Sequence, residues 1–357
     1  MKKSPLLAIL VVVWALAHVL SPIRATAQLL YVSNASNDQI LRIGSGGAGT
    51  TFATTAGAGI NSPYGLAFDT AGNLFVANNG DFTILRLAPD GVSTVFATNA
   101  RNAPISGLAF DTAGNLYAAN NAFAAVLKYA PNGSVTTFAT AGLSSPTGLA
   151  FDSSGNLFVA DNNNTIMKFA PDGSGTVFAN TMLNRPVGLA FDSSGNLFVA
   201  NYSDGKIIKF TSAGVGTLFY QTIYFPYGMT IDSANNLFVA HGTFEILRIT
   251  PSAIGTVFAN NASAGVSAPT YLAFTPLVIQ PPFGFRVTES KRIGNDLRLS
   301  FTTLSGFQYA IQSCADLAIG AWVTIPGTTV AGTGGVVQET IVNAFVGPTP
   351  FFRVVQL

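Results

Sequence analysis

The stretch Pro186–Asn201 reads Pro-Val-Gly-Leu-Ala-Phe-Asp-Ser-Ser-Gly-Asn-Leu-Phe-Val-Ala-Asn, and it decides the fold because near copies recur along the chain. Its first glycine, Gly188, has a counterpart in each full copy, and successive counterparts along the chain are 42, 41, 40 and 40 residues apart. A sixth, shortened copy runs from Tyr271 to Thr275. Self-similarity with a period near 40 residues indicates a repeat architecture. The glycines that open the full copies are Gly65, Gly107, Gly148, Gly188 and Gly228.

Each copy contains the signals of four short strands. Leu-Ala-Phe and Leu-Phe-Val-Ala are almost wholly apolar, as expected of strands that are covered on both faces. Asp-x-x-Gly-Asn between them is hairpin chemistry, because Asp can bond nearby backbone N–H groups and Gly accepts a positive φ. A third strand such as Ile207–Phe210 follows, then a turn such as Pro171–Gly173 and a fourth strand such as Thr94–Ala97. Four strands in about 40 residues, repeated radially, predict a six-bladed β-propeller.

The two ends of the repeat region predict how the ring closes. Leu29–Asn34 matches the second strand of a blade, Ile40–Ile43 the third and Thr50–Ala53 the fourth. The missing first strand is the shortened copy Tyr271–Thr275. We therefore expect an all-β propeller that is closed by pairing between N-terminal and C-terminal strands, which hides the sheet edges.

The N-terminus carries the pattern of a signal peptide over residues 1–27. Lys2 and Lys3 precede an apolar stretch, Leu6–Leu20, and Ala25-Thr26-Ala27 is a small-x-small cleavage site. An uncleaved anchor is the alternative, but the apolar stretch is shorter than the roughly 20 residues of a transmembrane helix. Export predicts a secreted, periplasmic or cell-surface protein, with no membrane span after cleavage.

Charge and cysteine content exclude several classes of function. Removing residues 1–27 takes away Lys2, Lys3 and Arg24 and no acidic residue, which changes the formal net charge from +1 to −2. Nucleic acid is therefore not an expected partner, because its binding needs clustered Lys and Arg. The single cysteine, Cys314, cannot form an intrachain disulfide.

Composition shifts predict the domain boundaries. The propeller is expected over residues 28–276 and a Pro-rich linker over 277–284, which contains Pro281 and Pro282. Residues 285–357 read as five or six strands separated by Gly-rich turns, which predicts a small C-terminal β-sandwich with Trp322 as a core anchor.

The repeat resembles NHL-repeat propellers and, more distantly, the SMP-30/gluconolactonase/LRE-like propellers. The resemblance rests on Pro-x-Gly-Leu-Ala-Phe-Asp, Gly-Asn-Leu-Phe-Val-Ala-Asn/Asp, Ile-x-Lys/Arg-Phe and Pro-Asp-Gly over residues 29 to 275. The C-terminal region looks like small β-domains of exported bacterial proteins. The resemblance implies a six-bladed fold, and in lactonase-type relatives a channel metal held by Glu, Asn and Asp.

The residues that would carry the activities of those relatives are missing. The positions before the inner-strand glycines hold neither a carboxylate nor an Asn, so we expect no metal and no cofactor. Lyase-type relatives rely on histidines, and this chain has only His18 and His241. We therefore predict no catalytic residue. The six positions are Tyr64, Ser106, Thr147, Val187, Tyr227 and Thr270.

Side chains that differ between copies are the candidates for ligand binding. Amides, carboxylates and aromatic rings at one rim of the ring, the upper rim, suit recognition of a peptide, a glycan or a partner protein. The alternatives are that Asn and Asp only satisfy turns, that the tyrosines pack at blade junctions, and that His241 is hydrogen-bonded without a catalytic role. The candidate residues are Tyr64, Asn78, Asn120, Asp161, Asn201, Tyr202, Tyr227 and His241.

The sequence favours a non-catalytic binding or scaffolding propeller that is exported by a bacterium. A lactonase, hydrolase or lyase with an atypical site around His241, Asp161 or Asp204 is the alternative. A structural role in an envelope assembly is a third hypothesis.

Overall fold

The structure is a computed structural model of the 357-residue chain, and it describes two parts of that chain. Residues 28–98, 103–242 and 244–276 belong to a compact unit that spans Ala27–Leu277. A second unit contains Val278–Leu357, of which the strands between 287 and 356 are described. The expected signal peptide (1–27), the linker (277–284) and Trp322 lie outside the described residues.

The first unit is built from six four-stranded antiparallel sheets. Three N-terminal strands belong to blade 6: β1 (Leu30–Asn34), β2 (Gln39–Ile43) and β3 (Gly49–Thr54). Blade 1 contains β4 (Pro63–Phe68), β5 (Leu74–Asn78), β6 (Thr83–Leu87) and β7 (Ser93–Thr98). Blade 2 contains β8 (Ile105–Phe110), β9 (Leu116–Asn120), β10 (Ala125–Tyr129) and β11 (Val135–Ala139).

The remaining blades continue in the same order. Blade 3 contains β12 (Pro146–Phe151), β13 (Leu157–Asp161), β14 (Thr165–Phe169) and β15 (Gly175–Ala179). Blade 4 contains β16 (Pro186–Phe191), β17 (Leu197–Asn201), β18 (Lys206–Phe210) and β19 (Gly216–Gln221). Blade 5 contains β20 (Pro226–Ile231), β21 (Leu237–His241), β22 (Glu245–Ile249) and β23 (Gly255–Asn260). Blade 6 is completed by β24 (Pro269–Phe274), and two single-turn helices are α1 (Thr55–Ala58) and α2 (Asn261–Ala264).

The ring closes as the sequence predicts. Strand β24 pairs with β1, so the sheet of blade 6 has the order β24-β1-β2-β3. The Thr275 N–H donates to the Leu29 carbonyl at 3.0 Å, which continues the pairing beyond the strand. The first strands contact one another in the order β4, β8, β12, β16, β20 and β24, and β24 contacts β4 again. The six-bladed propeller and its N/C strand pairing are therefore confirmed.

Glycine is the third residue of five inner strands because neighbouring blades approach closely at that point. A Cβ atom on Gly148 would lie 2.0 Å from the Val187 carbonyl oxygen of the next blade, and one on Gly188 would lie 2.2 Å from the Tyr227 oxygen. Such distances exclude a side chain unless the backbone moves. In blade 6 the corresponding residue is Tyr271, and the β1–β24 register shifts between Val32 and Asn34.

The core lies between adjacent blades. Phe158 of blade 3 is buried and makes edge-to-face contacts with Phe178 of its own blade and Phe191 of blade 4, at 4.9 and 5.0 Å between ring centroids. The second strands are buried at all five residues, which explains their continuous apolar runs. Each blade interface therefore forms its own apolar cluster.

The predicted hairpin chemistry is present between the first and second strands. The Asp152 Oδ1 atom accepts from the N–H groups of Ser154 (2.9 Å) and Asn156 (2.8 Å), and the Asn156 amide donates to Oδ2 at 2.8 Å. Gly155 has a φ of 80°. Burial alone would raise the pKa of Asp152, but these hydrogen bonds and the nearby Lys168 hold it below its ordinary value.

The second unit contains two further antiparallel sheets. The strands are β25 (Val287–Ile293), β26 (Asp296–Thr302), β27 (Gln308–Cys314), β28 (Val323–Thr324), β29 (Val330–Ala331), β30 (Val336–Ile341) and β31 (Phe351–Gln356). One sheet has the order β25-β26-β30, and the other has β27 paired with β28, β29 and β31. The C-terminal strands predicted from sequence are thus largely present, whereas their assembly as a β-sandwich stays a prediction. No helix in the described residues is long and apolar enough to cross a membrane.

Candidate functional site

The upper rim is the end of the propeller where the first strands begin and the second strands end. Six residues precede the inner glycine or its equivalent, and three of them are buried. The Thr147 hydroxyl lies 3.1 Å from the carbonyl oxygens of both Ala160 and Pro186, so its one proton is shared between acceptors on two blades. The Thr270 hydroxyl donates to the Pro63 carbonyl at 3.3 Å. Val187 is also buried, so Tyr64, Ser106 and Tyr227 are the half-buried groups at the channel mouth.

The polar residues that end the second strands hold the connections between blades. Asp161 accepts from the N–H groups of Ser144 (2.7 Å) and Ser145 (3.1 Å). Asn78 accepts from the Asn61 N–H at 2.6 Å, and the Asn201 amide donates to the Met182 carbonyl at 2.8 Å. Their side chains satisfy backbone groups of the preceding connection.

Five candidate residues are therefore not exposed rim groups in this structure. The side chains of these residues hydrogen-bond backbone groups at the strand ends, which gives a structural reason for their polarity. This agrees with the alternative interpretation, in which Asn and Asp satisfy turns. Asn120, for example, accepts from the Phe123 N–H at 3.2 Å within its own turn. The buried candidates are Asn78, Asn120, Asp161, Asn201 and His241.

The His241 side chain is hydrogen-bonded to the backbone of the upper rim. Its Nε2 atom accepts from the Tyr224 N–H at 3.2 Å, so the ring proton lies on Nδ1, which is 3.5 Å from the Glu245 carboxylate. Burial lowers the pKa of His241, and Glu245 opposes that shift. The side chain is 1% exposed, which keeps its basic nitrogen away from any ligand on the surface.

Two of the three other candidates, Tyr202 and Tyr227, lie in an aromatic group that we call the rim aromatic cluster, formed by Tyr202, Phe225, Tyr227 and Arg185. Tyr202 stacks on Phe225 at 5.0 Å between centroids and meets Tyr227 edge to face at 4.9 Å. The guanidinium of Arg185 lies 4.6 Å from the centre of the Tyr202 ring. The Tyr227 hydroxyl donates to that of Tyr202 at 3.3 Å, and burial together with this bond raises the pKa of Tyr227.

The connection that leads into blade 5 extends the cluster toward solvent. Ile223 is 84% exposed, Tyr224 56%, Phe225 51% and Phe244 50%, which makes this the largest concentration of exposed apolar side chains on the described rim. Contiguous exposed apolar groups of this kind mark interaction sites. Tyr202 and Tyr227 are predicted from the sequence as rim residues, whereas the segment Ile223–Phe225 and Arg185 are not. A signal was available, because Tyr224 and Phe225 stand where the preceding connection has Asn184 and Arg185.

Tyr64 lies beside an open cavity of about 440 Å³ between blades 1 and 2, and its electrostatic interaction with Tyr227 contributes to raising the pKa of Tyr227. We call this cavity the Tyr64 pocket. Within the part of the chain that the structure describes, none of the residues that line it carries a charge. They are Ser62, Tyr64, Asn79, Gly80, Pro104, Ser106, Asn121 and Ala122.

The opposite end of the channel contains a cavity of about 340 Å³. Its wall includes the leucines that follow the inner glycines, such as Leu149 and Leu189, together with Met229 and Tyr271. Within the described residues the buried Tyr271 hydroxyl has no hydrogen-bond partner, and burial raises its pKa. In the same part of the chain, no three His, Cys, Asp or Glu residues are grouped so that they could hold a metal ion.

Solved structures with the same architecture confirm the propeller. The nidogen/laminin complex contains a chain that superposes with a TM-score of 0.61 at 17% identity, over 70% of this chain and 98% of that chain. A streptogramin B lyase gives 0.54 at 17% identity, over 66% and 81% of the two chains. Virginiamycin B lyase from Staphylococcus aureus gives 0.48 at 16%, over 78% and 94%. At 17% identity the first two similarities establish the fold alone.

Sequence comparison gives the family. No curated protein matches the chain. The family model described as virginiamycin B lyase matches residues 15–249, which is well over half of the chain and covers most of the propeller. The chain is therefore a six-bladed β-propeller that belongs to the virginiamycin B lyase family.

Proposed function

We propose that this chain is an exported binding protein whose upper rim recognises a peptide segment of a partner through the rim aromatic cluster. The observation that carries the proposal is the stacking of Tyr202 on Phe225, with Arg185 on the Tyr202 ring, at an exposed site. Tyr and Arg are enriched among the residues that dominate binding energy in protein interfaces.

The geometry supports a peptide more than a free sugar at this position. Ile223, Phe225 and Phe244 offer aliphatic and aromatic surface with few polar atoms, which suits apolar side chains. Arg185 has no ion-pair partner within the described residues, so it can meet a carboxylate of the ligand. Its backbone is fixed, because the Arg185 N–H donates to Asn164 Oδ1 at 2.7 Å.

Location and repeat type complete the proposal. The signal-peptide pattern of residues 1–27 supports secretion or a periplasmic or cell-surface location in a bacterium. The repeat motifs support a finer assignment to NHL-type propellers, distantly similar to SMP-30. The C-terminal strands would form a sandwich that spaces or docks the propeller.

Lyase or lactonase activity is the second candidate, and membership of the virginiamycin B lyase family favours it. His241 is the single histidine between residues 28 and 357, and its Nε2 atom is occupied by the Tyr224 N–H. A catalytic base at this position would need that bond to break. Metal analysis and assays of lactone opening and cyclic-peptide cleavage on the purified chain distinguish the two candidates, since chelator-sensitive turnover would favour the enzyme.

A peptide-library selection on the chain without residues 1–27 tests the proposal. We expect selected peptides rich in apolar residues, whose affinity falls at least tenfold in Phe225→Ala and Tyr202→Ala, as hot-spot truncations do. Val257→Ala, at a 49% exposed position on β23, is the matched control and should leave affinity unchanged. Equal binding by all three variants would contradict the proposal, and binding of glycans alone would replace its ligand class.

A further inference from the structure

The Tyr64 pocket is a second candidate site on the rim, lined by residues that are not part of the rim aromatic cluster. It is an open depression with a volume of about 440 Å³. Blades 1 and 2 and the start of blade 3 support it, whereas the cluster belongs to blades 4 and 5.

Two amide side chains of the pocket, Asn79 and Asn121, each have one hydrogen-bonded atom and one atom without a partner among the described residues. Asn79 accepts from the Ile105 N–H through Oδ1 at 2.9 Å, which leaves its Nδ2 donor without a partner among the described residues. Asn121 donates through Nδ2 to the Ser145 hydroxyl at 2.6 Å, which leaves Oδ1 as an acceptor. Tethering fixes the orientation of each free group before a ligand arrives, which lowers the entropic cost of binding.

Three hydroxyl groups add to this set. Ser62, Ser106 and Tyr64 line the pocket, and none of their side-chain oxygens is hydrogen-bonded to a described residue. The backbone of Ser62 is held by its N–H bond to Asp38 Oδ1 at 2.6 Å. The pocket thus offers one free amide donor, one free amide acceptor and three groups that can donate or accept.

The chemistry of the lining selects the ligand. An ionised ligand would lose hydration without gaining a counter-charge from the described lining residues, none of which is charged. A neutral sugar fits, since each of its hydroxyls both donates and accepts, and its C–H face can lie on the Tyr64 ring or on Pro104. We propose that the Tyr64 pocket binds an uncharged carbohydrate.

Saturation-transfer NMR on the chain without residues 1–27 tests this assignment. The probes are cellohexaose, maltohexaose, mannohexaose and hexa-N-acetylchitohexaose, with hexagalacturonate as the charged counterpart. We expect at least one neutral probe to bind and the charged probe to bind at least tenfold more weakly. Tyr64→Phe, which removes one hydroxyl, should weaken binding about fivefold to tenfold, as expected for one hydrogen bond.

Further variants separate this pocket from the rim aromatic cluster. The double variant Ser62→Ala/Ser106→Ala should weaken binding at least tenfold, whereas Phe225→Ala should leave it unchanged. Failure of all four neutral probes, or wild-type affinity in both Tyr64→Phe and the double variant, would overturn the assignment. Loss of sugar binding in Phe225→Ala would overturn it too, by moving the sugar to the cluster.

Discussion

The Ser33 hydroxyl accepts a hydrogen bond from the Tyr271 backbone N–H at 2.9 Å, and the two residues are 238 positions apart in the chain. Tyr271 replaces the inner-strand glycine of the other blades, and Ser33 replaces the alanine that ends their Leu-Phe-Val-Ala runs. The paired difference is local to blade 6, whereas the register shift between the first and second strands recurs in every blade. In blade 6 the Ser33 hydroxyl gives an N–H group at this shift a side-chain acceptor, which the alanine of the other blades lacks.

This contact predicts the effect of replacing Ser33 alone with the alanine that the other blades have at this position. Ser33→Ala should remove the side-chain acceptor of the part-buried Tyr271 N–H and lower the free energy of unfolding by about 0.5–1.5 kcal/mol. Urea unfolding measures the change. Ser36→Ala, at an exposed hydroxyl nearby, is the control and should change stability by less than about 0.5 kcal/mol.

The close approach of the inner strands predicts that Gly148→Ala is destabilising. Its methyl group would meet the Val187 carbonyl oxygen, so blades 3 and 4 must separate, at a cost of about 1–3 kcal/mol. Gly46→Ala is the matched control, because no atom lies within 4 Å of the added methyl group. Equal melting temperatures for the two variants would contradict the packing described here.

The blade interfaces predict a large loss in Phe158→Ala. Removing this buried ring deletes its contacts with Phe178 and Phe191 and should cost about 3–5 kcal/mol. Val177→Ala, at a 57% exposed position on the outer strand of the same blade, should be nearly neutral. Denaturant titration of both variants checks the difference.

Much of this architecture follows from the sequence because each blade repeats the same local signals. The Asp152 turn, the buried second strands and closure through β24 all follow from patterns of four to seven residues. The rim does not. Asn201 and Tyr202 are neighbours in the chain, yet one is buried in a backbone bond and the other stacks on Phe225, which comes from a different connection. Residue type alone does not show which polar side chain hydrogen-bonds the backbone and which is available to a ligand.

The turn carboxylates predict a loss of stability in acid. Burial would raise the pKa of Asp192, but bonds from Asn196 and Lys209 hold it below its ordinary value. Stability from a lowered pKa is present above the unfolded value, roughly 3.9, and is lost as the pH falls through the folded value. Asp192→Asn should therefore cost about 1 kcal/mol at pH 7 and less at pH 3. Urea unfolding at both pH values measures this, and an equal cost would contradict it.

The Tyr224–His241 hydrogen bond predicts that the backbone at Tyr224 opens more often in acid. Because burial lowers the pKa of His241, its folding contribution is complete above the unfolded value near 6.5 and declines as the pH falls from there to the folded value. The hydrogen-exchange protection factor of the Tyr224 amide should fall between pH 7 and pH 5. In His241→Phe, which lacks the acceptor, protection should be low at both pH values.

Both binding sites depend on a ring that is sealed between its ends, and one cross-link tests this most directly. The hydroxyls of Ser36 and Ser267 lie 3.0 Å apart at the surface, 231 residues apart in the chain. In a Cys314→Ala background, Ser36→Cys/Ser267→Cys should form a disulfide under mild oxidation and raise the melting temperature, because it closes a long loop. Two thiols that remain free in the folded, oxidised protein would contradict the closed ring.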